Sequence, residues 1–340
     1  MKRKAVIIII LCLFLSSCGK DTDTNVPQTD SPADTSRYFP EENTSAENSI
    51  QELTTEAATE NIHGSPVINE NSARCFYGKK TEDTKTYTMY SPLEKYDFSS
   101  ASLSPQKSFS KQLISHSYGV AANGKAHQIS IENQKFFDEK GYDAICYNSK
   151  AQGHPLYLTF DCGYENGYTA KILDVLKEKN VKAAFFCTLP QIESEPELTA
   201  RMINEGHIVG NHSVTHPDFS SLTRRQMLDE VKGFDDYIRE NFGYSSLFFR
   251  YPQVKYSEDS LDMLNSMGYK CVFWSLAYAD WDLGSQKGAQ YALETVTARL
   301  HPGAVILLHS VSPDNANALA DIIDRAREMG YEFKTLDSIE

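Results

Sequence analysis

The stretch Tyr157-Leu158-Thr159-Phe160-Asp161-Cys162-Gly163-Tyr164-Glu165-Asn166-Gly167 decides how the rest of the chain is read. β-Branched and aromatic residues run straight into a carboxylate, a thiol and a glycine, and a second glycine precedes an amphipathic segment. A short apolar run of this kind suits a strand buried on both faces, and in an α/β fold such a strand delivers its last side chains to the ligand-binding end. From Leu156 onward the pattern recurs, with apolar runs at 156–160, 183–187, 207–210, 247–249, 271–274, 304–308 and 333–336. Between them, Met227, Val231, Phe234 and Ile238 fall on one helical face, as do Leu319, Ile322, Ile323 and Ala326. Strands alternating with helices predict a parallel sheet with right-handed crossovers, closed as a distorted or incomplete (β/α)7-8 barrel. A doubly wound open sheet would need a ligand crevice at a switch point, and no glycine-rich nucleotide fingerprint is present.

Composition narrows the function. Of 340 residues, 41% are hydrophobic, with 17 Phe and 19 Tyr, which is enough for a sizeable core. The formal charge of −13 excludes nucleic acid as a general partner, because phosphate binding needs a basic face, while a neutral glycan stays open.

Before the main domain the chain changes character several times. Lys2, Arg3 and Lys4 precede an apolar run from Ala5 to Leu15 that is too short to span a bilayer comfortably. Leu15-Ser16-Ser17-Cys18 resembles the lipobox of bacterial lipoproteins, which implies cleavage before Cys18, lipidation of its thiol, and an extracytoplasmic protein anchored to the bacterial cell membrane. Residues 1–18 are thus read as a signal peptide. Residues 19–70, acidic and rich in Ser and Thr, are read as a disordered linker. Residues 71–153 form an N-terminal extension, and 154–340 the main domain. In the extension, 129–140 is expected to be a helix stopped by Gly141. Ala144-Ile145-Cys146-Tyr147 is expected to be a strand pairing with Leu156 to Phe160 as a hairpin.

Of seven cysteines, Cys12 leaves with the signal and Cys18 carries the lipid, so five remain and at least one is unpaired within the chain. Cys187 and Cys271 sit in apolar runs and read as core. Cys75 and Cys146 both lie in the extension and are expected to pair.

The polar residues fall at strand ends. Asp161 ends the first strand, His212 and His216 follow the third, Arg250 ends the fourth, Asp280 and Trp281 follow the fifth, and His309 ends the sixth. Each has an ordinary reading alone: exposed loop histidines, a helix N-terminal carboxylate, a surface cation, a core histidine, a loop carboxylate beside a packing aromatic. In a barrel all of them share the C-terminal face, and that joint placement favours a hydrolytic metal site. The H-x-x-x-H spacing suits Zn²⁺ or another divalent ion.

Thr159-Phe160-Asp161-x-Gly163, His212-Ser213-x-x-His216, Arg250-x-Pro252, Asp280-Trp281 and Ile306-x-x-His309 together resemble the five motifs of the polysaccharide deacetylases, the NodB-homology or carbohydrate esterase 4 group. The resemblance covers roughly 156–340. Gly163 to Thr169, Val272 to Ser275 and His301 to Ala304 look most like the PdaA-type members, which deacetylate N-acetylmuramic acid in peptidoglycan on the route to muramic δ-lactam. It implies a metal on His212 and His216, Asp161 as general base held by Arg250, and His309 as general acid oriented by Asp280. Trp281, Tyr251 and Tyr278 are candidates for stacking on the sugar.

Two departures stand out. Family members usually carry a second aspartate where this chain has Cys162. A thiolate ligand there would favour Zn²⁺; the alternative is a metal held by two histidines plus water. Tyr251-Pro252-Gln253-Val254 also lacks the glycine or aromatic often found after the proline, which leaves the oxyanion contact and substrate subclass open. Beside de-N-acetylation of amino sugars, two alternatives stay open: a catalytically inactive glycan-binding lipoprotein, and an O-acetyl esterase acting on acetylated polysaccharide.

Overall fold

The computed structural model describes residues 67–68, 74–81, 87–116 and 119–339. The expected signal peptide, the lipidated Cys18 and all of the linker except Val67–Ile68 lie outside the described residues. Eight strands form the main sheet: β1 (Ala144–Ile145), β2 (Pro155–Cys162), β3 (Ala184–Cys187), β4 (Ile208–Asn211), β5 (Phe248–Phe249), β6 (Lys270–Val272), β7 (Ala304–His309) and β8 (Glu332–Lys334). Their order is β7-β2-β3-β4-β5-β6-β1, with β8 also paired to β2, and every pairing is parallel. Just beyond β6, Leu276 bridges Ile306 of β7 in parallel. The curled sheet thus returns to its first edge through an isolated bridge, the distorted closure that the repeating pattern predicts.

Every residue of β2 is buried, as a strand covered on both faces requires. Helices α2 (Thr169–Glu178), α3 (Leu189–Ser194), α4 (Pro196–Asn204), α5 (Arg224–Phe242), α6 (Glu258–Ser266), α7 (Ala289–Ala298) and α8 (Pro313–Glu328) follow successive strands. α5 begins at a reciprocal capping box between Thr223 and Gln226 and ends at Gly243, whose φ of 58° is left-handed. It buries Met227, Val231, Phe234 and Ile238, the face set by the sequence period.

In the extension, helix α1 (Gln128–Lys140) ends at Gly141 with φ 73°, as expected. The expected hairpin does not form. β1 pairs with β6 instead, because both edges of β2 are already used, one by β7 and the other by β3 and β8. The extension therefore supplies a strand to the same sheet.

Cys75 and Cys146 do not pair either. Cys75 lies in the strand Cys75–Tyr77 of a small antiparallel sheet with Tyr244–Ser246, its Sγ 3.7 Å from the Tyr244 hydroxyl. Cys146 is a free thiol that packs in a different cluster, with Sγ 4.0 Å from His116 Nδ1. Cys187 and Cys271 are fully buried, as their apolar runs suggest. Alkylation of protein denatured without reductant, followed by mass spectrometry, should modify Cys146; a Cys75–Cys146 disulfide peptide would contradict this packing.

Candidate active site

The pleat of β2 sorts its side chains between two faces. Thr159 and Asp161 point to the barrel interior, where both meet Arg250 Nη1, at 2.9 and 2.7 Å. Phe160 and Cys162 point the other way. Phe160 stacks on Phe185 at 5.1 Å, and Cys162 lies in register with Cys187, fully buried in the apolar core. Cys162 is therefore not a ligand of the site, because the strand alternation that aims Asp161 inward aims its neighbour outward.

Arg250 is 1% exposed, and its burial is offset bond by bond. Nε donates to Val272 O at 3.0 Å and Nη2 to Phe273 O at 3.2 Å, while the Phe186 ring lies 4.2 Å from Cζ. Thr159 in turn donates its hydroxyl proton to Ile306 O at 2.7 Å, leaving its oxygen to accept from Arg250. Burial alone would raise the pKa of Asp161. The guanidinium, followed by His212 and His309, outweighs that effect and holds the carboxyl below its ordinary range.

The histidine loop leaves β4 at Asn211. Asn211 Nδ2 donates to Val231 O of α5 and its Oδ1 accepts from Ser213 N–H; Glu230 of α5 accepts from the N–H groups of Val214 and Thr215. These ties hold Ser213 at φ 74° and His216 at φ 57°, left-handed conformations that cost about 1–3 kcal/mol each. His212 Nδ1 lies 2.8 Å from Arg250 O, so Nδ1 carries the proton and Nε2 presents its lone pair, 3.7 Å from Asp161 Oδ2. The His216 ring sits 4.9 Å from that of His212. Burial lowers both imidazole pKa values, that of His216 to about 3. Two neutral imidazoles, one with its far nitrogen tied to a backbone carbonyl, have the character of metal ligands. Among the described residues, no group of three His, Cys, Asp or Glu converges on one point, so a metal here would rely on His212 and His216 with water completing its shell.

Across the site, His309 and Asp161 are register partners on β7 and β2. His309 Nδ1 is 2.7 Å from Asp280 Oδ1, and its backbone N–H donates to Asp280 Oδ2 at 2.8 Å. Burial pushes the imidazole pKa down, but Asp280 and Asp161 more than reverse this and raise it. Trp281, 37% exposed, lies with its ring 5.6 Å from that of His309. The other two aromatic candidates are not stacking platforms. Tyr251 is 1% exposed among Phe219, Phe249, Tyr256 and Phe273, and Tyr278 is 6% exposed with its hydroxyl on Asn315. Core packing consumes the first and a hydrogen bond the second. Sequence reasoning missed Thr159 as an Arg250 partner, together with Phe186, Glu230 and Asn315. Asn315 lies just after Ser312-Pro313 in the first turn of α8, and nothing local in the sequence signals its reach to Asp280.

A polysaccharide deacetylase family model matches residues 148–272. The peptidoglycan-N-acetylmuramic acid deacetylase PdaA of Bacillus subtilis is 44% identical over 199 residues, 58% of this chain and 75% of that protein. The chain belongs to the polysaccharide deacetylase family. A peptidoglycan-N-acetylglucosamine deacetylase of Bacillus cereus is 33% identical to this deacetylase over 186 residues, 54% of this chain and 66% of that one. The solved structure of Bacillus subtilis PdaA, a family 4 carbohydrate esterase, superposes with a TM-score of 0.64 at 38% identity, covering 68% of this chain and 97% of that one.

The deacetylase is thus a hydrolase built on a curled parallel sheet, and the stretch matched by the family model ends before Asp280 and His309. Those two join the site through the β6–β7 side of the barrel. Replacing Arg250 by Met would strip the buried Asp161 of its guanidinium partner and should cost about 3–5 kcal/mol of stability. Urea unfolding of the variant above pH 6 measures it, and the loss should shrink as acid neutralises Asp161.

Proposed function

We propose that this protein is a metal-dependent de-N-acetylase that hydrolyses the N-acetyl group of amino sugars in cell-wall peptidoglycan, with N-acetylmuramic acid the sugar attacked and acetate the product. The observation that carries the reading is the pairing of Asp161 and His309 on adjacent strands, with environments that favour the ionised carboxylate and the protonated imidazole. The identity to PdaA supports the substrate class.

An amide is a poor electrophile, so its hydrolysis needs an activated water and a proton for the departing amine. A divalent ion bound to His212 and His216 would lower the pKa of water and polarise the acetyl carbonyl; imidazole ligands suit Zn²⁺. Asp161 accepts the proton of the attacking water, with Arg250 fixing the direction of its carboxylate. His309, its Nδ1 held by Asp280, donates from Nε2 to the amine nitrogen as the C–N bond breaks. Trp281 offers its exposed face to the sugar. The signal and lipobox resemblance of residues 1–18 supports an extracytoplasmic enzyme lipid-anchored at Cys18, with the linker as its tether.

Purified protein should release acetate from peptidoglycan, and mass spectrometry of the digested glycan should place the lost acetyl group on muramic acid; stem-peptide-free glycan tests whether peptide removal comes first. A chelator should abolish turnover and Zn²⁺ restore it. Acetate from O-acetylated xylan alone would instead support the esterase, and none from any substrate with Zn²⁺ present the binding module. The rate should rise with pH through the lowered pKa of Asp161 and fall only above 6.5, because His309 must stay protonated and its pKa is raised. His309→Ala should lower kcat by about 10²–10⁴. Separately, Cys18→Ala should move the protein from the membrane fraction to the medium.

A further inference from the structure

Asp280 is 1% exposed and receives three hydrogen bonds, two of them from the residue that it orients. His309 supplies Nδ1–H to Oδ1 and its backbone N–H to Oδ2. The third comes from Asn315 Nδ2, 2.5 Å from Oδ2. Asn315 is fully buried at the third position of α8, its N–H accepted by Ser312 Oγ at 3.2 Å, and its Nδ2 also donates to His309 O at 3.2 Å. Both groups facing Nδ2 are acceptors, so the NH₂ end of the amide must lie on that side. The other end confirms the orientation, because Oδ1 accepts from the Tyr278 hydroxyl at 2.5 Å. Burial pushes the Tyr278 phenol well up, so it stays a donor.

We propose that Asn315, held in turn by Tyr278, is a positioning residue for the general acid: it fixes the rotation of the Asp280 carboxylate so that Oδ1 remains on His309 Nδ1. Without the amide, the only hydrogen bonds to the Asp280 carboxylate among the described residues come from His309 itself, and a carboxylate held only by its own target does not set that target's position. The four groups form one connected chain: Tyr278 O–H donates to Asn315, Asn315 N–H donates to Asp280, and Asp280 accepts from the His309 N–H. The other titratable or charged groups facing His309 are Asp161 from β2, Arg250 from the end of β5, and His212 and His216 of the histidine loop, whereas the hydrogen bonds of Asn315 go to Tyr278, Ser312, Asp280 and the His309 carbonyl. The tie also gives the loop 280–288 a reason to be stitched to α8, where Asp314 Oδ2 accepts from the N–H groups of Lys287 and Gly288.

This inference rests on the reading of His309 as the acid, and the variants separate the two. Asn315→Ala should lower kcat about 10–100-fold at unchanged KM, the range typical of lost second-layer contacts at an active site, and should move the alkaline limb of kcat down toward 6.5. Asn315→Asp keeps the shape but turns a donor into an acceptor against Asp280, and should lose at least as much. Tyr278→Phe keeps the ring and its packing, and should give a smaller fall in kcat with the limb moved the same way. If Asn315→Ala does not fold, Tyr278→Phe still decides. A variant set that loses melting temperature while kcat and the alkaline limb stay at wild-type values overturns the positioning role. His309→Ala with full turnover would overturn the acid reading itself; an inactive His309→Ala beside wild-type Asn315 and Tyr278 variants would overturn this inference alone.

Discussion

The interaction on which the site depends is the buried pair between Arg250 and Asp161. A guanidinium at the centre of a barrel is costly to desolvate, and it is tolerated because backbone carbonyls at the end of β6, a threonine hydroxyl on β2, a carboxylate and an aromatic face each take part of its charge. Those partners come from three places in the chain, β2, β3 and the end of β6. The guanidinium therefore acts as the point through which β2, β3, β5 and β6 agree on a common geometry, and it fixes the direction of the Asp161 carboxylate.

Around that pair the site is held by hydrogen bonds between side chains and backbone. His212 is anchored on the carbonyl of Arg250, the histidine loop on Glu230 and Asn211, and His309 on Asp280. Left-handed backbone at Ser213 and His216 is the local cost of bringing both imidazoles to one side, and the helix α5 that buries Met227 and Val231 is what stabilises it.

The barrel and the strand-end residues were legible in the sequence because both follow from short-range pattern. Apolar runs fix where strands begin, and the polar residue at the end of a run is carried to the C-terminal face. Asp161, His212, His216, Arg250, Asp280 and His309 converge for that reason. What was not legible depends on which strand neighbours which. The hairpin expected for Ala144 to Tyr147 failed because β2 had no free edge, a fact decided by β7 and β8 far along the chain. The place of Cys162 in the motif left open whether it ligates a metal, and a period of two along the strand turns it to the core. Tyr251 and Tyr278 carried the right chemistry for a sugar face, and burial decided against both.

The register that sets His309 beside Asp161 has one more consequence. Neighbouring parallel strands lie about 4.8 Å apart, a spacing dictated by peptide hydrogen bonds. The separation of the two backbone positions is therefore set by the main-chain ladder of β2 and β7, and the side-chain partners Arg250 and Asp280 aim the carboxylate and the imidazole across it. Loops above the barrel can vary while that separation stays constant, so this architecture uncouples the surface that meets a ligand from the spacing of Asp161 and His309.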